Sequence, residues 1–365
     1  IGKGLAAQKA VLKALEDYLL TEIAREKCFE RLGETDCAFL LEGWVIQDDK
    51  DKVTAAVLEA APESYISFRP PTDGETPPTA LNNPRLVTPF EAVTNMYAVP
   101  SQRGYDPNLL MAIFYFLIFG MMIGDAAYGA ILTIGAFVIL KLKKPTGMFR
   151  KITTVFMICG ISTIFWGLFY GTVFSISGIP AVINPLDGDG AMTTLIMCLG
   201  IGVLHILTGI GIGMYMDIRR GHFWSAIFDR FSWIMVIVGG IMLLLGDPVG
   251  QVGQYIALAG GLILLLTQGR SKKGIVRKVT GGLASLYNVT SYVSDILSYA
   301  RIFGMGLATT VIAMVFNTIA GLLMGGVVGY IFGLVVLTVG HMFNIAINAL
   351  GAFVHTARQI GRAHV

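Results

Sequence analysis

Residues 322–359 read LLMGGVVGYIFGLVVLTVGHMFNIAINALGAFVHTARQ. As a helix rising about 1.5 Å per residue, this stretch extends about 55 Å, nearly twice a bilayer core of about 30 Å. Such a helix must tilt steeply, break or project beyond the membrane. Its polar side chains are not scattered. At 100° per residue, His341, Asn344, Asn348, His355 and Arg358 project within about 100° of one another. Such a stripe on an apolar helix is either hydrogen-bonding glue between helices, a chance cluster, or the wall of a polar path.

Working outward, apolar runs recur from about Pro107 to the end, among them Ile131–Leu140 and Ile234–Leu245. The 365 residues are 54% hydrophobic and only 14% charged, with a mean hydropathy of +0.68. A soluble domain usually carries about 25% charged residues, so the chain reads as a polytopic membrane protein with a soluble N-terminal piece. About eight spans are expected, at 108–122, 124–142, 152–175, 191–217, 226–246, 252–269, 280–316 and 322–359, the last two long and tilted. The first two, separated by Gly124-Asp125, could also form one re-entrant hairpin.

Charge sorts the loops. Lys141, Lys143, Lys144, Arg150 and Lys151 follow the second span, Arg219 and Arg220 the fourth, and Arg270, Lys272, Lys273, Arg277 and Lys278 the sixth, while loops 176–190, 247–251 and 317–321 carry no Lys or Arg. The positive-inside rule then puts both termini in the cytoplasm. A formal charge of +3 is too small to suggest a nucleic-acid partner.

Upstream, Leu5, Leu12, Leu15, Leu19 and Ile23 predict an amphipathic helix that needs a partner. Asp49–Ala61 reads as helix and Ser64–Arg69 as strand, so 1–69 is expected to be the distal part of a cytoplasmic α+β domain. Residues 70–106 hold seven of the thirteen prolines and read as an extended connector; 107–359 is the membrane domain. The chain starts at Ile1 with no charged n-region, so no signal peptide is expected and the chain reads as a piece of a longer protein. The tail 360–365 (IGRAHV) can be back-translated to ATCGGAAGAGCACACGTC, an adapter-like sequence, and is taken as non-native. The four cysteines (Cys28, Cys37, Cys159, Cys198) lack metal-ligand spacing and are read as inert thiols; no metal or cofactor is expected. The methionines follow the apolar spans as filler. Phosphate-binding, nucleophile-elbow, HExxH and dinucleotide motifs are absent in context, so no covalent chemistry is expected of this chain.

One base stands out. Arg301, in Ser298-Tyr299-Ala300-Arg301-Ile302-Phe303-Gly304, lies deep in the seventh span with no flanking base. A charge at that depth costs at least about 2.5 kcal/mol unless paired or facing water. It is either a structural ion pair with an acid such as Asp295 or Asp125, or a fixed cation on an ion path. Thr290, Ser294, Ser298 and Arg301 share an arc of about 80°, with Asp295 about 120° away from Arg301. In Phe119–Gly129, Asp125 lies between small residues, where close packing explains the glycines and Asp125 is a structural hydrogen-bond acceptor or a functional acid; Gly209, Gly211 and Gly213 also read as packing.

Together these motifs resemble the a/I stator subunit of rotary V-type and A-type ATPases, in its archaeal and bacterial form. The resemblance covers residues 1–358: Gly43-Trp44-Val45, Asn82-Asn83-Pro84, Pro89-Phe90-Glu91, Phe119–Gly129, Ser298-Tyr299-Ala300-Arg301 and Gly351-Ala352-Phe353-Val354-His355-Thr356-Ala357-Arg358. It implies that Arg301 and Arg358 are the family's two essential arginines and His355 its neighbouring histidine. Asn348 stands where eukaryotic members carry an acid, and Asp295 where they carry a His. Past Arg358 the family continues with Leu and an aromatic, whereas this chain has Gln359.

The implied mechanism is electrostatic. A ring of proteolipid c/K subunits, each with one carboxylate, turns against the last two spans, and two offset half-channels carry the ion, H⁺ or Na⁺, to either side of the arginines. The remaining candidates for that path are His341, Asn344, Ser294 and Ser298, with Gly124 and Asp125 assigned to the structural hairpin. Peripheral-stalk E/G-type subunits would hold the cytoplasmic arm, ATP chemistry would belong to the soluble catalytic sector reached through the central stalk, and lipid of the prokaryotic plasma membrane would surround the spans. A secondary transporter would show internal two-fold repeats, which this sequence lacks, and a purely structural anchor would not require Arg301.

Overall fold

A computed structural model describes residues 2–29, 33–34, 38–72, 74–75, 77–97, 105–176, 180–267 and 275–363. Cys37, Arg270, Lys272, Lys273 and the last two residues of the tail lie outside them, as do the side chains of Leu5, Cys28, Arg277 and Lys278. The chain divides into two compact units, residues 1–80 and 81–365.

In the first unit, α1 (Gly2–Phe29) and α2 (Lys50–Ala60) are helical as the periodicity predicts. Leu12, Leu15, Leu19 and Ile23 are all exposed. The expected strand at Ser64–Arg69 is not formed: those residues are irregular, and the described ladder is the short antiparallel pair Gly33–Glu34 with Phe39–Leu40. Without a neighbouring strand, the backbone groups of 64–69 have no ladder to join. Arg69 instead ends the stretch with a two-pronged grip on Glu75, at 2.9 and 2.8 Å. That grip, with the Thr72 N–H, holds the Glu75 carboxyl at about 2, well below the usual carboxylate range.

The second unit corrects the connector. Residues 88–97 form a 3₁₀ turn (Thr88–Phe90) and α3 (Glu91–Tyr97) rather than an extended segment, and Val87, Phe90, Ala92 and Val93 are buried. Polar side chains tie this turn down. The Asn83 amide donates to Glu91 Oε1 (3.1 Å) and Asp106 Oδ2 (2.9 Å), and Lys151 Nζ reaches Glu91 Oε2 at 2.7 Å. Proline density marked the chain's bends, but the apolar side chains between them had a core to enter.

Helices follow at each of the eight expected positions: α4 (Asn108–Ile123), α5 (Ala126–Lys143), α6 (Gly147–Tyr170), α7 (Gly188–Arg219), α8 (Phe223–Leu244), α9 (Val249–Thr267), then α10 (Ile275–Ser298) with α11 (Ala300–Leu323), and α12 (Val327–Ala363). Among the described residues seven stretches are long and apolar enough to cross a membrane, α10 and α11 counting together over Tyr287–Leu323. The chain is thus a multi-pass, mainly α-helical membrane protein. At 16 residues α4 is shorter, but it is the hub of the fold: Tyr115, Ile118 and Phe119 are fully buried, and it packs on α6, α11 and α12. A helix surrounded by protein need not match the bilayer thickness.

Close packing builds the hairpin. Gly124 ends α4 with φ +54°, a left-handed conformation that glycine adopts without steric cost. On α6, a Cβ at Gly167 would lie 2.0 Å from the Ala126 nitrogen, so only glycine lets the two backbones meet there. The loop expected at 317–321 is helix instead. α11 runs on to Leu323, and the turn falls at Met324–Gly326, where Gly326 has φ +106°.

Candidate functional site

The burial pattern of α12 splits its polar stripe. His341, Asn344 and Asn348 are buried, together with Ile345, Ala349, Ala352, Phe353, Thr356 and Ala357. Arg358 is exposed, as are Ile347, Leu350 and Val354 on the outward side of the helix, and His355 is half-buried between the two faces.

The buried part is a closed hydrogen-bond network. Asn317 of α11 donates from Nδ2 to the Phe174 carbonyl (2.7 Å), which leaves its Oδ1 facing His341 Nε2 at 3.0 Å. An amide oxygen only accepts, so Nε2 carries the proton and His341 Nδ1 is free to accept. Tyr128 of α5 lies 2.7 Å from that Nδ1 and donates to it. The Tyr128 oxygen in turn accepts from Asn344 Nδ2 at 3.0 Å, whose other hydrogen goes to the Thr309 carbonyl at 2.9 Å. Asn348 Nδ2 donates back to the Asn344 carbonyl at 2.8 Å. Tyr128 and Asn317 are not among the sequence candidates, because their partners lie on other helices and 317–321 is expected as a loop.

Asp125 belongs to the same neighbourhood. It caps α5, with Oδ1 accepting from Ala127 N (3.0 Å), Tyr128 N (3.2 Å) and Phe174 N (3.1 Å), and Oδ2 from Ser175 N (3.0 Å). It is fully buried. Gly124 and Asp125 are thus brought together in the hairpin, and the Asp125 carboxylate is committed to backbone donors.

The second cluster contains the bases. Arg301 opens α11 just after a break in the helix at Tyr299, whose hydroxyl is 2.8 Å from His205 Nδ1 of α7. A Cβ at Gly202 would lie 2.4 Å from the Tyr299 ring, so that glycine admits the ring. Arg301 and Arg358 both act electrostatically on His355, which puts all three in one neighbourhood across α11 and α12. Among the described residues neither arginine makes an ion pair. The alternative of a structural pair with Asp125 or Asp295 therefore finds no support. The buried His355 Nδ1 has no hydrogen-bond partner among the described residues.

Asp295 is placed elsewhere, on α10, where it and Arg230 both act on Tyr292; the Tyr292 ring lies 4.6 Å from that of Trp233. Ser298 Oγ turns back to the Asp295 carbonyl at 2.6 Å, and Ser294 is exposed. Among the described residues no cluster of His, Cys, Asp or Glu could hold a metal ion; Cys159 and Cys198 are buried, free thiols.

A mainly helical unit with seven stretches, among the described residues, long and apolar enough to cross a membrane defines the chain as a multi-pass membrane protein. The model of the V-type ATPase 116kDa subunit family matches residues 26–179. The A-type ATP synthase subunit I of Methanocaldococcus jannaschii is 29% identical over 95% of this chain and 56% of its own length. That of Pyrococcus horikoshii is 32% identical over 90% of this chain and 51% of its own. The V-type ATP synthase subunit I of Borreliella burgdorferi is 27% identical over 87% and 56% respectively. The chain is similar to these subunit I proteins, and it spans about half the length of the curated relatives it matches.

Proposed function

We propose that the chain is the membrane part of a non-catalytic stator subunit in a rotary A/V-type ATPase. It assembles with a proteolipid ring, with peripheral-stalk subunits through the first unit, and with the central stalk and catalytic sector. Arg301 and Arg358 stand where a ring carboxylate passes, and α11 and α12 separate two half-channels. The observation that carries this reading is the convergence of Arg301, His355 and Arg358 with no acid paired to either arginine among the described residues.

An unpaired guanidinium in low dielectric favours the ionised form of an approaching carboxylate and so expels its bound H⁺ or Na⁺. The same fixed charge repels a cation leaking between half-channels. His355, on which both bases act, offers a nitrogen to the passing ion. Asp295, with Ser294 and Ser298 beside it on α10, supplies an acid to the access path. The basic loops after α5, α7 and α9 support a topology with both termini in the cytoplasm, and the proposed membrane is a prokaryotic plasma membrane.

The test is ATP-driven ion uptake by the assembled complex in proteoliposomes, with and without Na⁺. Arg301→Ala should abolish uptake while the ring still co-purifies, and normal pumping in that variant would sink the assignment.

A further inference from the structure

The Tyr128 hydroxyl is one atom serving two side chains of α12. It donates to His341 Nδ1 at 2.7 Å and accepts from Asn344 Nδ2 at 3.0 Å. Its helix is capped by Asp125, whose carboxylate also accepts from the backbone of Phe174 and Ser175. The Phe174 carbonyl takes the Asn317 amide, and Asn317 Oδ1 takes His341 Nε2. The bonds therefore close a loop through α5, the segment after α6, α11 and α12. The Tyr128 and His341 Nε2 hydrogens each have a protein acceptor, and beyond His341 and Tyr128 the next link is the amide of Asn317 or Asn344, which does not release a proton near neutral pH. The loop is built to hold geometry and not to pass protons along the stripe.

We propose that Tyr128 and Asn317 are positioning residues: they keep His341 in its neutral Nε2–H form and thereby fix the axial register of α12. This rests on the reading of α12 as a wall of the ion path. His341 and Arg358 are 17 residues apart, about 25 Å along the helix. A slip of α12 by one turn, about 5.4 Å, would break both bonds to Tyr128 and carry Arg358 and His355 away from Arg301. The register holds only while Nδ1 accepts. A proton on Nδ1 sets a second donor against the Tyr128 oxygen, which already accepts from Asn344, and leaves the tyrosine hydrogen without its acceptor. The titratable groups facing His341 are Tyr128 and, behind it, Asp125, both on the hairpin; the groups it meets on α11 and in the 174–175 segment are the neutral Asn317 and Phe174.

The experiment uses the assembled complex. Nitrogen-15 spectra of labelled histidine, assigned with the His341→Asn variant, should show Nδ1 unprotonated at neutral pH. Tyr128→Phe should lower the ions moved per ATP about tenfold, the size expected when a buried hydrogen-bonded node is lost, with ring assembly and ATP hydrolysis retained. His341→Asn, which can still accept from Tyr128 but does not titrate, should pump and lose the wild-type fall in coupling at acid pH. A protonated Nδ1 at neutral pH, or a Tyr128→Phe complex with wild-type coupling and pH profile, overturns the proposal. Absence of ATP-driven uptake in the wild-type complex would instead overturn the functional reading, and the nitrogen spectrum would still decide the state of His341.

Discussion

Replacing Asp125 separates a structural acid from a transporting one. Its carboxylate accepts four backbone N–H groups at 3.0–3.2 Å and is fully buried. In Asp125→Ala all four donors lose their partner. A buried donor left unsatisfied costs about 1–3 kcal/mol, so the loss should be at least about 4 kcal/mol, even at the low end for each group. Asp125→Asn is graded differently. Its Oδ1 can keep Ala127, Tyr128 and Phe174, but the amide NH₂ then opposes the Ser175 N–H, donor against donor. One lost bond and one such contact amount to about 2–3 kcal/mol. The assay is denaturant-induced unfolding of the purified subunit in mixed micelles, followed by helicity and by protease resistance of the α5–α6 region. The expected order is wild type above Asn above Ala, with Ala lower by several kcal/mol. If Ala unfolds within about 1 kcal/mol of wild type, less than one orphaned donor should cost, the reasoning fails. If Asn is as stable as wild type and yet does not pump, Asp125 is a transport residue and its structural assignment is wrong.

Three further outcomes follow from local geometry. Gly167→Ala puts a Cβ 2.0 Å from the Ala126 nitrogen and should abolish accumulation of the subunit in membranes, whereas Gly135→Ala, with nothing within 4 Å, should accumulate normally; immunoblotting of membrane fractions compares them. Lys151→Ala leaves the buried Glu91 carboxylate without its half-exposed cation and should destabilise the subunit by about 1–2 kcal/mol, between the worth of an exposed pair and that of a fully buried one, with Lys151→Ala/Glu91→Gln recovering most of it in the same unfolding assay. Glu75 titrates at about 2 because Arg69 and the Thr72 N–H favour its ionised form. Its contribution to stability is therefore fully present above the ordinary carboxylate value of about 4.3 and is lost as pH falls toward 2. Arg69→Ala should return the carboxyl toward the ordinary value in a carbon-detected NMR titration, and an unmoved titration would refute the grip.

What could be read in advance followed from how much each residue depends on partners distant in sequence. Helix position in the membrane unit depends mainly on runs of apolar residues, which is why α5 to α9 fall where hydropathy puts them. Where the determinant is a contact with another element, local composition misleads. The prolines around 70–100 suggested an extended connector, yet Phe90 and Val93 found a core and Glu91 a lysine sixty residues away. Ser64–Arg69 had strand-like composition and no neighbouring strand to join. Asn317 shows the same thing most clearly: it falls in the stretch 317–321 expected as a loop, but its amide bonds Phe174 and His341 within the helical unit. Helical spacing likewise put Arg358 on one stripe with His341, Asn344 and Asn348, since angles on a single helix say nothing of what covers each side. Burial by α4 and α11 divides that stripe. The neutral polar groups turn inward, where each donor meets a protein acceptor, and the permanent charge turns outward, where burial would cost most. A polar residue at membrane depth therefore needs two readings: whether its hydrogen bonds can be satisfied by protein, and whether its charge can be removed. Asn344 passes the first, His341 both, and Arg358 neither, and the arginine is the residue that the fold leaves exposed.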